Sequence, residues 1–328
     1  MDWVERMGRR VKLRDLHVLL AVAESGSMVK AANRLAVSHP VVSKTISELE
    51  ETLGVRLFDR HARGVEATTY GQVLLRRGLS VFDELRQGLR ELEFIANPSA
   101  GEVRIGCPEI TMAGLLPYIA QTFSGQYPGV NLHVALANTG SLQFKELRER
   151  SLDLVIGRLP KQFSEDDLEA EVLFDEPFLA VAGVRTSWAR KRRLALADLM
   201  LEPWVLPSYD SAPGQLILEM FRQSQLPPVR PSVTTMSGQL TVTLIASGRF
   251  VGVLPQSVAR LSAERAGVKV LPIDLPPVQI ASGIVTVKGR TLSPLAHRFV
   301  DCARELAKRV PATAETVESK GRNLRRPG

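Results

Sequence analysis

Residues 27–51, SMVKAANRLAVSHPVVSKTISELEE, constrain the fold more than any other stretch of the chain. Their apolar positions repeat at helical spacing with one break, so the stretch encodes two short amphipathic helices joined by a tight turn. Ser27 has the side chain of an N-cap for the first helix, whose buried stripe is expected to be Val29, Ala32, Leu35 and Ala36. Ala36 and Val37 mark the break. Ser38 offers a second N-cap, and Pro40 falls in the first turn of the next helix, where its missing N–H leaves no hydrogen bond unmade. Val42, Ile46 and Leu49 then face inward, which turns His39, Val41, Ser43, Lys44 and Ser47 outward. The small pair Ala31 and Ala32 lets one helix lie close across the other. The second helix presents its N-terminal side chains, as a helix-turn-helix does toward a DNA groove. A helical hairpin in any globular domain has the same pattern, so the flanking residues decide.

Upstream, Leu13, Leu16, Leu19, Leu20, Val22 and Ala23 form another amphipathic helix that runs into Glu24, Ser25, Gly26 and Ser27. Downstream come Leu49-Glu50, Leu53-Gly54, Leu57-Phe58-Asp59-Arg60, Arg63-Gly64-Val65 and Thr68, in that order. This ordered string resembles the DNA-binding domain of the LysR-type transcriptional regulators, over about residues 13–69. The resemblance implies an N-terminal, mostly helical winged helix-turn-helix domain, set here at 11–69. Residues 57–68, LFDRHARGVEAT, would be the wing, with a basic turn from Arg60 to Gly64 between short extended pieces. Arginines on such a tip reach phosphates or an adjacent minor groove. A plain surface hairpin is the other reading of these residues.

Residues 70–97 form one long helical pattern. Leu74, Gly78, Val81, Leu85, Gly88, Leu92 and Ile95 recur in alternating steps of four and three, an a/d seam, with Leu75, Phe82 and Leu89 on one flank. A small winged domain cannot bury so long a seam, so the expected partner is the same helix of a second subunit. Family resemblance implies the same, a linker helix that pairs two chains. Asn97-Pro98-Ser99-Ala100-Gly101 ends it as a hinge.

Strand and helix patterns then alternate, which argues an α/β fold with mainly parallel sheets. Strands are expected at 103–106, 130–137, 152–156, 177–182, 204–206, 233–236, 250–254, 268–271 and 282–287. Helices are expected at 113–123, 141–150, 213–223, 239–247, 256–265 and 294–308. This region, 102–310, resembles the family's effector-binding domain, which has the two-lobed fold of type 2 periplasmic binding proteins. The resemblance implies a first lobe of about 102–172 plus 267–310, and a second of about 173–266. Residues 311–328 read as a disordered tail.

At 328 residues the chain is longer than one domain usually runs, and its net charge of +7 favours polyanionic partners without requiring them. Cys107 and Cys302, the only cysteines, make no disulfide framework and point to a reducing cytoplasm. No apolar run approaches the ~20 residues of a membrane span, and the basic N-terminus has no apolar segment behind it, unlike a signal peptide.

For DNA contact the candidates are Ser27, Arg34, Ser38, His39, Pro40, Ser43, Lys44, Ser47, Arg60 and Arg63. His39, Ser43, Lys44 and Ser47 lie on the first turns of the recognition helix, where base edges are read, and Arg34 and Arg63 are backbone clamps. Members of the family usually carry glutamine where His39 stands, and histidine cannot make the same bidentate pair. For an effector, strand ends and helix N-termini in open α/β folds mark the cleft. They give Cys107, Pro108, Glu109, Thr111, Thr139, Gly140, Ser141, Arg158, Ser208, Met236 and Ser237. Such a ring suits a carboxylate, a sulfonate or a sugar acid. Arg158 has two candidate partners, that anion or the run Glu165-Asp166-Asp167.

Catalysis has little support. The five histidines are scattered without HExxH, no Cys/His metal spacing occurs, and GxSxG and GxxxxGK[ST] are missing. No cofactor or metal is expected. The reading is a cytoplasmic, DNA-binding homodimer or homotetramer controlled by a small organic acid, aromatic acid or sugar, with RNA polymerase as a candidate partner. The rival is a solute-binding protein or enzyme of the same two-lobed fold, its N-terminal domain used only for oligomerisation.

Overall fold

Three helices form where the N-terminal periodicity puts them, at Leu13–Ser25 (α1), Met28–Arg34 (α2) and His39–Leu53 (α3). The computed structural model describes residues 10–61, 64–137, 144–160, 163–263 and 266–308, and the chain divides into two compact units, Met1–Leu89 and Arg90–Gly328. Helices α1 and α3 each stop on a glycine in the left-handed region, Gly26 at φ 61° and Gly54 at φ 71°, where a side chain would cost energy.

The inner face of α2 lies one position away from the expected stripe. Met28, Ala31 and Ala32 are buried with Leu35 packed beside them, while Val29 is 55% exposed. Ala36 falls outside the helix at φ 52°, because its N–H bonds Asn33 O and the Val37 N–H bonds Ala32 O, closing the last turn. Leu13, at 49% exposure, also stays out of the core that Leu19, Val22, Ala31, Val42 and Ile46 share.

Strands Phe58–His61 (β1) and Gly64–Ala67 (β2) pair as an antiparallel hairpin, with Phe58 opposite Ala67 and His61 opposite Gly64. Two sets of hydrogen bonds fix the hairpin on the helices. The Glu50 carboxylate of α3 accepts the N–H groups of Leu57 and Phe58 at 2.7 and 3.2 Å, and the Val65 N–H reaches Gly26 O at 3.0 Å. Thr68 then caps the long helix Thr69–Ala96 (α4), its hydroxyl accepting the Gly71 N–H at 3.0 Å. The seam divides along this helix. Leu74 and Leu75 pack on the N-terminal core of the same unit and Gly78 is buried, whereas Val81, Leu85, Leu89, Leu92 and Ile95 are 40 to 76% exposed.

In the second unit the expected alternation of strands and helices holds, but the sheet is mixed rather than mainly parallel. Strands Ala100–Cys107 (β3), Gly129–Leu136 (β4) and Leu154–Arg158 (β5) run parallel. Trp204–Leu206 (β7), Val233–Thr234 (β8) and Val251–Pro255 (β9) do the same. Between the two groups lie Leu168–Gly183 (β6) and Gln279–Val287 (β11), antiparallel to each other and to their neighbours. β6 extends nine residues upstream of the strand start expected at 177. Up to Pro177 it pairs with β11, and from Phe178 with β9, so one strand passes from one half of the sheet into the other.

The lobe boundaries shift accordingly. Val268–Val270 (β10) pairs with Val181–Gly183 and belongs to the second half, so the chain returns to the first near Gln279 and not near 267. Each half has its own core, one around Ile105, Ile119, Phe123, Leu154 and Phe299, the other around Trp204, Ile217, Met220 and Phe221. The helices over these cores are Leu116–Gln126 (α6), Ala212–Gln223 (α8), Gly238–Ala246 (α9) and Pro294–Ala307 (α11). Shorter turns occupy Glu109–Met112 (α5), Lys145–Arg148 (α7) and Gln256–Val258 (α10). The helix expected at 256–265 is thus an α-turn followed by a π-turn at Ala259–Ala263. Residues 311–328 lie outside the described residues.

Candidate functional site

Burial of Val42, Ile46 and Leu49 at 2% exposure or less fixes what α3 turns outward. His39, Pro40, Lys44 and Ser47 are exposed and Ser43 is half-buried. Ser38 stands at the N-cap but makes no side-chain cap bond, so its hydroxyl is not spent on the helix. Ser27 does cap α2, accepting the Lys30 N–H at 3.5 Å. Lys44 Nζ lies 3.7 Å from Glu48, an exposed i,i+4 pair worth about 0.3–0.5 kcal/mol, weak enough to give way to a phosphate.

Arg34 is paired with Glu24 across the ends of α2 and α1, an exposed ion pair. Arg60 lies in β1 opposite Val65, so the turn is narrower than 60–64. Arg63 lies outside the described residues. Glu50, the side chain that holds the hairpin to α3, was not among the candidates, since its partners are backbone groups that the sequence cannot point to.

In the second unit two adjoining cavities share Ile110, Arg158 and Pro255. One extends to Thr111, Glu176, Ser257 and Ser282, the other to Phe178, Pro207, Ile217, Met236 and Gly238. Arg158, at the end of β5, makes no hydrogen bond or salt bridge among the described residues, and its guanidinium carbon stands 5.9 Å from the Phe178 ring centroid. Burial pushes its pKa down to about 10 against the opposing pull of the Glu176 charge. The acidic run at 165–167 is not its partner, because Arg148 holds Glu165 at 2.5 Å and Asp167 at 2.7 Å.

Glu176 is 3% exposed and accepts the Ser257 N–H at 2.6 Å, the Ser257 hydroxyl at 3.1 Å and the Ser282 hydroxyl at 3.3 Å. Burial nevertheless pushes its pKa up, the Ser257 and Ser282 bonds and the Arg158 charge only partly opposing it. A carboxyl whose folded pKa exceeds its unfolded value of about 4.3 takes up a proton on folding, so stability falls as pH rises from there through the folded value. Glu176→Gln removes that contribution. Urea midpoints measured from pH 4 to 8 are expected to fall less steeply in the variant than in the parent.

The remaining candidates separate. Thr111 and Met236 line the cavities. Cys107 does not, being fully buried in the core with its thiol pKa raised by that burial, because Val103, Ile105 and Cys107 share the inward face of β3. Pro108 only N-caps α5. Ser208 shapes a turn, its carbonyl accepting the Ser211 N–H at 3.0 Å, and lines neither cavity. Glu109 and Ser237 meet each other at 2.6 Å. Thr139, Gly140 and Ser141 lie outside the described residues. Glu176, Phe178, Ser257 and Ser282 escaped sequence reasoning. The alternation of Leu168, Ala170 and Val172 with Glu169 and Glu171 is the period-two signal that could have extended the strand toward Glu176.

Among the described residues, no group of three or more His, Cys, Asp or Glu side chains could hold a metal, and no helix is long and apolar enough to cross a membrane. Residues 13–72 match the family model for the bacterial regulatory helix-turn-helix protein, lysR family, and residues 96–308 match that for the LysR substrate binding domain. The HTH-type transcriptional regulator GbpR of Azospirillum brasilense is 28% identical over 296 residues, spanning 90% of this chain and 86% of that protein. The transcriptional dual regulator GltC of Bacillus subtilis is 29% identical, spanning 89% of this chain and 96% of its own. In fold, the chain is similar to full-length CbnR complexed with its target DNA, with a TM-score of 0.53 at 22% identity over 90% of this chain and 100% of that one. It is also similar to a full-length OxyR variant from Pseudomonas aeruginosa, with a TM-score of 0.61 at 23% identity over 92% of this chain and 98% of that one.

Proposed function

This chain belongs to the LysR family of DNA-binding transcriptional regulators with an effector-binding domain, and on that premise we propose how it works. Linker helices of two subunits pair through Val81, Leu85, Leu89, Leu92 and Ile95, a row left exposed on the single chain. The homodimer, or a homotetramer built from it, sets two recognition helices on the half-sites of a pseudo-palindromic operator in the cytoplasm. Ser38, His39, Ser43, Lys44 and Ser47 face the major groove, and Arg60 and Arg63 reach the flanking backbone. A small organic acid, aromatic acid or sugar in the cleft favours one arrangement of the two lobes by its differential affinity for it. That shift alters how the subunits hold DNA and how RNA polymerase gains access.

The observation that carries the DNA reading is the outer face of α3, exposed at His39, Pro40, Lys44 and Ser47 beside a hairpin anchored by Glu50. A solute-binding protein or enzyme is not favoured, because the matched families and the curated relatives are regulators. The test is a gel shift with the DNA flanking the protein's own coding region. The parent is expected to bind with steep salt dependence, and Lys44→Ala with Arg63→Ala should reduce the log–log salt slope by about 0.9 for each phosphate no longer neutralised. Salt-insensitive binding, or none at low ionic strength, rejects the reading.

A further inference from the structure

The amino end of helix α9, whose Gly238 lines one of the two cavities, already holds a carboxylate. Its free N–H groups and helix dipole favour a carboxylate there, and the chain supplies one from the other half of the sheet. Glu109 Oε1 accepts the Ser237 hydroxyl at 2.6 Å and the Gln239 N–H at 3.3 Å. Ser237 is fully engaged in doing so, since its oxygen also accepts the Leu240 N–H at 3.2 Å as the N-cap of α9. A Cβ on Gly238 would stand 2.9 Å from Ile110 Cδ1 and 3.3 Å from Ile110 Cα, so the loop carrying Glu109 packs directly on the first turn of α9.

Arg158 is in the opposite condition. It lines both cavities, and among the described residues it has neither a hydrogen bond nor a salt bridge. In one cavity the walls around it are mostly apolar, Phe178, Val205, Pro207, Ile217 and Met236; in the other lies Glu176, whose charge acts on Arg158 but whose oxygens accept from Ser257 and Ser282. A guanidinium withdrawn from water between such walls is stabilised by an anionic partner.

We propose that Glu109 sets the charge of the effector: it fills the anion position at the start of α9 and leaves Arg158 to bind the ligand's acid group, so the cleft selects an organic monocarboxylate with an apolar body over the matching dicarboxylate. A second carboxylate on the ligand meets the Glu109 charge at the one end where a helix would otherwise have received it. This inference rests on the reading that the cleft between the lobes holds the effector.

Calorimetric titration of the full-length protein tests it with matched pairs that differ by one carboxylate: benzoate and phthalate, 4-hydroxybenzoate and 4-hydroxyphthalate, cyclohexanecarboxylate and its 1,2-dicarboxylate. In the parent, the monocarboxylate of at least one pair is expected to bind tenfold or more tightly than its partner. Glu109→Gln and Glu109→Ser should narrow that ratio to threefold or less by admitting the diacid, and Arg158→Gln should weaken the monoacid at least tenfold. The proposal is overturned if diacids bind the parent as well as monoacids do, if the ratio is unchanged in both Glu109 variants, or if no member of the series binds. A gel shift on the same samples separates the two levels. Failure of the parent to bind DNA rejects the regulator reading, whereas normal DNA binding without charge preference rejects only the role given to Glu109.

Discussion

Asp153→Ala is expected to lower the unfolding free energy of the second unit by about 3–5 kcal/mol, read as a shift of its urea transition. The carboxylate is 1% exposed and serves three donors: Arg90 Nη1 at 2.8 Å, the Arg104 N–H at 2.9 Å and Arg290 Nη2 at 3.4 Å. Arg290 is itself buried and also donates to Leu152 O at 2.5 Å. Removing the carboxylate takes away a charge that offsets the desolvation of one wholly buried guanidinium and of another at 15% exposure. Asp153→Asn keeps one acceptor and the shape but not the charge, so its effect should fall between alanine and the parent. Arg90 lies in the part of the long helix that belongs to the second unit, and its pairing ties that segment to the strand start at Leu154. A decrease below about 1 kcal/mol for alanine, the range of an exposed pair, would show that the network does not hold the unit together.

Sequence periodicity located elements well where the cause of an element is local. Residues 204–206 were legible as a strand, found at Trp204–Leu206, and residues 70–97 as one long helical pattern, found at Thr69–Ala96. Strand-end reasoning for the cleft led to Thr111, Arg158 and Met236 for the same reason, since the step from strand to helix is written in adjacent residues. What failed was set by distant partners. Charges at 169, 171, 175 and 176 disguised the first half of β6, which is a strand because β11 pairs with it. Glu176 reaches the cleft from that hidden half, and Ser282 from its pairing partner. The pairing of Arg34 with Glu24 escaped because Glu24 is ten residues away on another helix. The face of α2 slipped by one position because Val29 and Ala36 fit an apolar stripe almost as well as Met28 and Ala31, and only closure of the last turn separates the two registers.

The other large effect concerns the DNA-binding unit, where Gly71→Ala is expected to cost about 3 kcal/mol of stability and to weaken operator binding at least tenfold. Gly71 is buried in the first turn of α4, and a Cβ there would stand 2.1 Å from Leu57 O and 3.1 Å from Leu57 C. Leu57 cannot retreat. Its carbonyl accepts the Thr68 N–H at 3.0 Å and its own N–H is held by Glu50 at 2.7 Å, so the backbone is tethered on both sides. Relief requires either that α4 unwind its capped first turn or that the hairpin lift from α3. The first frees the hairpin from α4 and the second frees it from α3, so on the proposed reading, in which hairpin and α3 both contact DNA, their spacing is no longer fixed and affinity falls. Gly78→Ala is the control on the same helix. Nothing lies within 4 Å of its added Cβ, and alanine in a helix interior gains up to about 1 kcal/mol over glycine. Thermal melts of the two variants are therefore expected to move in opposite directions, with anisotropy titrations on operator DNA showing weaker binding for Gly71→Ala alone. A Gly71→Ala protein that melts and binds as the parent does would mean that the close approach of Leu57 and Gly71 is not what fixes the wing.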